Sequence, residues 1–322
     1  MHAARPQRIS AAPTSDPVIP ATARVPARAF AAVVVANVAL AFGPWFVRMA
    51  DTGPVAAAFW RIALAAPLLI VGALASGARP VRLTPVMWLL LAASGIAFAA
   101  DLASWHLGIL RTTLANATLF GNSATLLFPL YGFVATRSLP TRMQRWALLL
   151  AFAGAALLMG RSYALDPRHL TGDLLCVLAG ALYTVYLVMV ARARTAMAPI
   201  PVLTISTVAS IVPLLILALL MGERIVPTHW GPLVALALAS QVLGQGAMVY
   251  ALGKLPPLVI GIALLIQPIV AGTVGWIIYA ERPGAADLIG AAMVAAALVL
   301  VRRPIRVAPA VGAAHLAAKD DI

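Results

Sequence analysis

Residues 86–110 read VMWLLLAASGIAFAADLASWHLGIL, an apolar run in which Asp101 is the only residue with a full charge at neutral pH. A helix of about 20 apolar residues crosses the roughly 30 Å hydrocarbon core of a bilayer. The strands of a transmembrane barrel instead alternate apolar and polar residues over about ten positions, and residues 86–100 do not alternate. This stretch therefore predicts a membrane-spanning α-helix.

Similar apolar runs recur along the whole chain. The predicted spans are residues 29–47, 54–75, 86–110, 113–136, 143–160, 170–191, 201–221, 229–252, 256–279 and 284–301. The composition agrees with this assignment, because 62% of the residues are hydrophobic and only 10% are charged, whereas soluble domains carry about 25% charged residues. We predict an all-α polytopic membrane protein with ten transmembrane helices.

The basic residues predict the orientation of these helices. With a cytoplasmic N-terminus, the two tails and the cytoplasmic connectors hold most of the 23 Lys and Arg residues, while Arg61 lies within a helix. The positive-inside rule then places both termini in the cytoplasm, and the expected location is the plasma membrane. The net charge of +13 does not indicate nucleic acid as a partner, because the basic residues form no single patch.

The two ends of the chain are predicted to be tails. Residues 1–28 are rich in Ala, Pro and Arg without hydrophobic periodicity, which is typical of a disordered segment. Residues 303–322 form the C-terminal tail. A cleavable signal peptide is the alternative for the first apolar run, but the run is long for one, and nine further spans fit two cytoplasmic termini only if it is retained.

The chain has the pattern of a duplicated half. A shift of 144 residues places His106 on Tyr250, Ala117 on Gly261 and Arg137 on Glu281 within similar hydrophobic patterns. Because each half holds an odd number of spans, the second half enters the membrane in the opposite orientation, as in many secondary transporters. We predict two inverted five-helix repeats, at residues 29–160 and 161–302.

Several short motifs accompany this pattern. They are FWR at residues 59–61, DLASWH at 101–106, ANATL at 115–119 with Asn122, Gln267-Pro268, Glu281-Arg282 and Gly290. Together they resemble the EamA-type ten-helix exporters of the drug/metabolite transporter superfamily. The resemblance implies two EamA repeats with a substrate cavity between them and alternating access to either face. The first half departs from the family pattern, with Ala124-Thr125 where a proline is usual and Arg137-Ser138 where an acidic residue is usual, which puts a symmetric hinge in doubt.

Asp101 is the leading candidate for a functional residue. A charge at the bilayer centre costs about 2.5 to 3.5 kcal/mol on insertion scales, so the carboxyl group should face a cavity or a partner. Helical periodicity places Ser94, Asp101, Ser104, Trp105 and Gly108 on one stripe. Asp101 could bind and release a proton, or it could form a fixed ion pair with Arg61, which could instead bind an anionic substrate group.

Other polar residues in the apolar runs are candidates for the cavity wall or for contacts between helices. They are His106, Asn37, Asn116, Asn122, Gln267, Gln241 and Gln245. Gln241, Gly244, Gln245 and Met248 share one face of the eighth span. His106 lies about 140° around the helix from Asp101, so the two form no ready dyad, and an interhelix hydrogen bond explains it equally well. In the sixth span Tyr183 and Tyr186 lie near one face, where they could stack on an organic substrate or pack in the core.

The function predicted from these observations is secondary transport, with export of a small organic metabolite or drug-like compound by alternating access and with proton coupling if Asp101 titrates. No Walker A motif for ATP occurs in the sequence. We expect neither a cofactor nor a metal, since the single Cys176 and the His residues have no metal-site spacing. The expected partners are a small organic solute and the lipid bilayer. The alternative is a membrane-embedded enzyme that acts on a lipid through Asp101 and His106.

Overall fold

The computed structural model describes residues 26–76, 83–111, 117, 120–160, 170–279 and 285–302. Within these residues every regular element is a helix. The C-terminal tail and residues 1–25 of the predicted N-terminal tail lie outside the described part. The first helix begins at Ala27, two residues before the predicted start of the first span.

The helices follow one another with short connectors. They are α1 (Ala27–Ala41), α2 (Gly43–Met49), α3 (Pro54–Ala75), α4 (Pro85–Ile109), α5 (Ala124–Ala135), α6 (Arg142–Gly160), α7 (Leu170–Ala193), α8 (Pro199–Leu220), α9 (Gly231–Leu236), a π-helical segment (Ala237–Gln245), α10 (Gly246–Leu252), α11 (Pro257–Ala263), α12 (Ile266–Tyr279) and α13 (Ala285–Arg302).

These helices correspond to the ten predicted spans. Six continuous segments of the described chain have the length and apolar composition to cross a membrane, namely Ala27–Met49, Pro54–Ala75, Pro85–Ile109, Leu170–Ala193, Pro199–Leu220 and Gly231–Leu252. Shorter apolar helices occur at Ala124–Ala135 and Pro257–Ala271. The prediction of an all-α polytopic membrane fold is confirmed, and the described helices are compatible with the predicted count of ten spans.

Several spans of the described chain differ from the uninterrupted helices that were predicted. The first is broken at Phe42 and the ninth at residues 264–265. Each break lies just before a proline, Pro44 or Pro268, which has no N–H to give to the carbonyl four residues earlier. In the eighth span the π-helical segment of nine residues interrupts the α-helix; such segments frequently occur at functional sites.

Helix packing repeats between the two halves. The third span, α4, packs along the sixth span, α7, while the corresponding eighth span packs along the first. The second span of each half, α3 in the first and α8 in the second, also pack against each other. Buried hydroxyl groups join these helices, because Thr204 of α8 donates to the Leu69 carbonyl at 3.0 Å and Ser210 of α8 donates to the Gly95 carbonyl at 2.8 Å.

A pair of loops joins the halves at one end of the bundle, which we call the loop face (residues 50–56 and 223–230). The Gly53 N–H donates to the Arg224 carbonyl at 3.1 Å, and the Trp60 Nε1–H donates to the Ile225 carbonyl at 2.7 Å. The Thr228 N–H donates to Asp51 at 2.8 Å, which helps to lower the pKa of this carboxyl group to about 2. Asp51 therefore carries a negative charge throughout the physiological pH range.

Candidate functional site

A cavity lies where the first, second, third, fourth, sixth, eighth and ninth spans approach one another. It holds about 660 Å³ of empty space, part of which is open to solvent. Seven of the residues predicted from sequence line it, namely Arg61, Asp101, Trp105, Asn122, Tyr183, Gln245 and Gln267. Both halves of the chain therefore contribute polar side chains to one wall.

Asp101 lies in α4 with 8% of its surface exposed. Among the described residues its carboxyl group has no hydrogen-bond donor, although Arg61 contributes a longer-range electrostatic interaction. The two charged groups line the same cavity but lie beyond ion-pair distance, since the described residues contain no salt bridge between them. The fixed Asp101–Arg61 ion pair considered from sequence is not formed in this structure.

Arg61 lies in α3 and is 3% exposed. Its Nε–H donates to Oε1 of Gln241 at 3.3 Å, and its guanidinium carbon lies 5.8 Å from the centre of the Phe98 ring. The Gln241 amide nitrogen in turn donates to the Thr207 hydroxyl at 3.0 Å. Gln241 and Thr207 are fully buried. Their hydrogen bonds therefore fix the guanidinium on the side away from the cavity, while Arg61 itself lines the cavity.

Two further amide groups cross between helices. Gln245 donates from Nε2 to the Tyr183 hydroxyl at 3.4 Å, and its Oε1 is buried without a partner among the described residues. Gln267 donates to Oδ1 of Asn37 at 2.9 Å, while Asn37 itself is fully buried and donates to the Val33 carbonyl at 2.7 Å. Asn37 therefore stands behind the cavity wall and joins the first span to the ninth.

Three of the described candidates, His106, Asn37 and Gln241, do not line the cavity. His106 is fully buried and its Nδ1 lies 2.8 Å from the Pro54 carbonyl, so in the tautomer that this contact requires it donates to the start of α3. Its other ring nitrogen is buried with no partner among the described residues. Asn116 lies outside the described residues, and so do Glu281 and Arg282 of the family motif.

The predicted stripe on the third span is partly corrected. Asp101 and Trp105 line the cavity together with Phe98 and Leu102, whereas Ser94, Ser104 and Gly108 do not. Gly108 instead allows α7 to approach closely, since a Cβ added there would lie 3.1 Å from the Gly172 carbonyl oxygen. The wall follows the spacing i, i+3, i+4 and i+7, which is one face of an α-helix.

The apolar wall residues Phe98, Leu102, Leu40 and Pro44 were missed because an apolar side chain in an apolar span carries no signal of its own. Phe98 could have been found from its position three residues before Asp101 on the same helix face. The repeat supplies a second signal. The shift of 144 residues that relates the halves places Asp101 on Gln245, and both residues line the cavity.

Comparisons with known proteins agree with this architecture. Residues 170–303, which hold the sixth to tenth spans, match the model of the EamA-like transporter family. A solved structure, titled only "Crystal structure of protein", superimposes with a TM-score of 0.69 and 15% sequence identity, covering 85% of this chain and 94% of that chain. At this identity the similarity shows the fold alone. No curated protein gave a significant match.

The apolar helices of the described residues have the architecture of a polytopic membrane protein. The second half of the chain is similar to the EamA-like transporter family, a part of the drug/metabolite transporter superfamily. The match confirms the resemblance seen in the sequence motifs for residues 170–303, and it indicates a membrane transporter of the drug/metabolite type.

Proposed function

We propose that this chain is a secondary transporter that exports a small organic metabolite or drug-like compound by alternating access. The observation that carries the proposal is the cavity to which both halves of the chain contribute polar side chains. In transporters with inverted repeats, the substrate binds near the midplane between the repeats, which rock about the site. The aromatic residues Trp105 and Tyr183 in the wall suit an organic solute.

Proton coupling through Asp101 is part of this proposal. A carboxyl group within a membrane span is costly and is commonly functional, and this one faces the cavity without a hydrogen-bond donor among the described residues. A proton taken up by Asp101 removes the negative charge from the wall, and its release restores that charge. Access of the cavity to either side of the membrane would then link proton movement to solute movement.

The experiment that tests the function begins with a thermal-shift screen of purified protein against amino acids, nucleosides, polyamines and cationic drugs, because a ligand that binds the folded state raises its stability. Flux of a compound selected in this way is then measured in sealed vesicles. Saturable flux that requires a closed compartment supports transport. Compound turnover in detergent, without two compartments, would instead support the membrane enzyme.

The Asp101→Asn variant tests the coupling. We expect its pH-driven flux to fall at least tenfold, because an amide cannot bind and release the coupling proton, while binding of the solute persists. Asp51→Asn is the matched control, since Asp51 is an aspartate of the loop face outside the cavity. Undiminished pH-driven flux through Asp101→Asn would contradict proton coupling by this residue.

We also propose a plasma-membrane location with both termini in the cytoplasm. The support is the distribution of charge at the face opposite the loop face, which we call the basic face. The charged side chains described there are all basic, namely Arg28, Arg137, Arg142, Arg145, Arg192, Arg194 and Lys254. The positive-inside rule assigns such a face to the cytoplasm.

A further inference from the structure

We infer that Arg61 is the recognition group for an oxyanion on the transported solute, such as a carboxylate, and that Gln241 is its positioning residue. This inference rests on the proposed transport function and names the class of solute that the cavity takes. It excludes solutes that carry only a cationic group.

The contacts of Arg61 leave the outer part of the guanidinium available. An arginine side chain has five N–H donors in a planar fork, and the described hydrogen bond uses only the Nε–H. Neither terminal nitrogen has a hydrogen-bond partner among the described residues. The guanidinium carbon lies 5.8 Å from the centre of the Phe98 ring, and the terminal N–H groups remain available to an incoming group.

Arg61 has no ion-pair partner among the described residues, which indicates that the ligand supplies a negative charge. A buried cation is costly unless it is paired and hydrogen-bonded, and Arg61 is 3% exposed without an ion pair among the described residues. Asp101 lies in the same wall but beyond ion-pair distance. A carboxylate in the cavity would supply two parallel N–H···O bonds, which is the geometry that arginine favours and lysine does not.

Gln241 fixes the direction of the fork. Its amide is oriented, because the nitrogen donates to Thr207 and the oxygen therefore faces the Nε–H of Arg61. Both partners are fully buried, so water does not replace either contact readily. Gln241 lies within the π-helical segment, which places its amide oxygen against the Nε–H of Arg61.

The test uses sets of probes that share a ring and differ in charge. Benzoate, phenylacetate and 3-phenylpropionate are each compared with the corresponding neutral amide and primary amine for binding to the full-length protein in nanodiscs. We expect at least one of the carboxylates to bind about tenfold more tightly than its amide and its amine. The Arg61→Gln variant should lose this preference, because its amide cannot form the charged bidentate contact.

The positioning role of Gln241 is tested in the same assay. Gln241→Ala should weaken binding of the preferred carboxylate about tenfold and leave the affinity for the amide unchanged, a difference that general misfolding would not produce. Gln241→Glu should abolish the preference, because the new carboxylate pairs with Arg61 internally. Arg194→Gln is the control, since Arg194 contacts the Val249 carbonyl and does not line the cavity.

Three results of the binding assay would overturn the inference: amides or amines that bind as tightly as the carboxylates, a carboxylate preference that survives Arg61→Gln, or no binding by any carboxylate. Failure of the transport function is recognised separately. Saturable flux of a neutral or cationic solute in sealed vesicles would leave transport in place while removing oxyanion recognition. Absence of flux for every compound selected by the thermal-shift screen would remove both.

Discussion

At the scale of single residues, Glu223 binds the first turn of a helix in the other half of the chain. Its two carboxylate oxygens accept hydrogen bonds from the Val55 N–H at 3.3 Å and the Ala56 N–H at 2.7 Å. The first N–H groups of a helix have no partner within it, and a negative charge near them is favourable. Glu223 therefore acts as a helix cap supplied from the second repeat.

Removal of this cap should lower stability. We expect Glu223→Ala to reduce the free energy of unfolding by about 1 kcal/mol, as for other lost caps, and Glu223→Gln to retain part of the effect because the amide oxygen still accepts. Thermal unfolding of purified protein in detergent measures the change. Val226→Ala in the same loop is the control, because Val226 is 65% exposed. Equal effects from Glu223→Ala and Val226→Ala would show that the cap contributes nothing.

The residues of the site differ in how far the sequence could reveal them. Asp101, Gln245 and Gln267 were predictable, because a charge or an amide in a membrane span needs a cavity or a partner. The same rule could not distinguish residues that line the cavity from residues that hold the lining residues in place. Asn37 and Gln241 have the same polarity as the wall residues yet lie behind them, and only the packing of neighbouring helices decides this. Apolar Phe98 carried no signal until Asp101 had placed the wall.

At the scale of elements, the number of spans followed from hydropathy, since each apolar run must cross the bilayer. The breaks within the helices could not be predicted from hydropathy in the same way. Pro44 and Pro268 mark two of them through their missing N–H groups, but Pro67 and Pro213 lie inside continuous helices. The π-helical segment has no sequence signature of its own, although it packs closely against the first span, where a Cβ added at Gly244 would lie 2.9 Å from Cγ of Leu40.

Close approach of helices at small residues allows a direct test. At Gly180 of α7, a Cβ would crowd the Ser123 hydroxyl and lie 2.9 Å from the Gly121 carbonyl oxygen. We expect Gly180→Ala to destabilise the protein by about 1 to 3 kcal/mol through overpacking. Thermal unfolding in detergent measures this effect, and it would also displace Gly121, which lines the cavity.

Gly72 provides the matched control for Gly180. It is also a glycine within a helix, but a Cβ there would have only an ordinary contact of 3.8 Å with Ile200. Gly72→Ala should therefore leave stability unchanged or raise it by about 0.5 to 1 kcal/mol, because alanine loses less backbone entropy in a helix than glycine. A Gly180→Ala variant as stable as Gly72→Ala would contradict the close packing of α7.

At the scale of the whole molecule, charge distinguishes the two ends of the bundle. The basic face has only basic charged side chains among the described residues, whereas the loop face also contains Asp51 and Glu223. These two acidic groups accept backbone hydrogen bonds from the opposite half of the chain. The basic face thus carries the charges that set the orientation in the membrane. The loop face carries acidic groups that connect the two halves of the chain.

Orientation in the membrane follows from this asymmetry and is measurable with single cysteines. We expect Val226→Cys on the loop face to react with a membrane-impermeant maleimide in intact cells, and Ser138→Cys on the basic face to react only after permeabilisation. Both positions are exposed, so accessibility differs only through the membrane. The unsubstituted chain is the control, because its single Cys176 is fully buried. The reverse labelling pattern would place the basic face outside the cell and would contradict the positive-inside orientation.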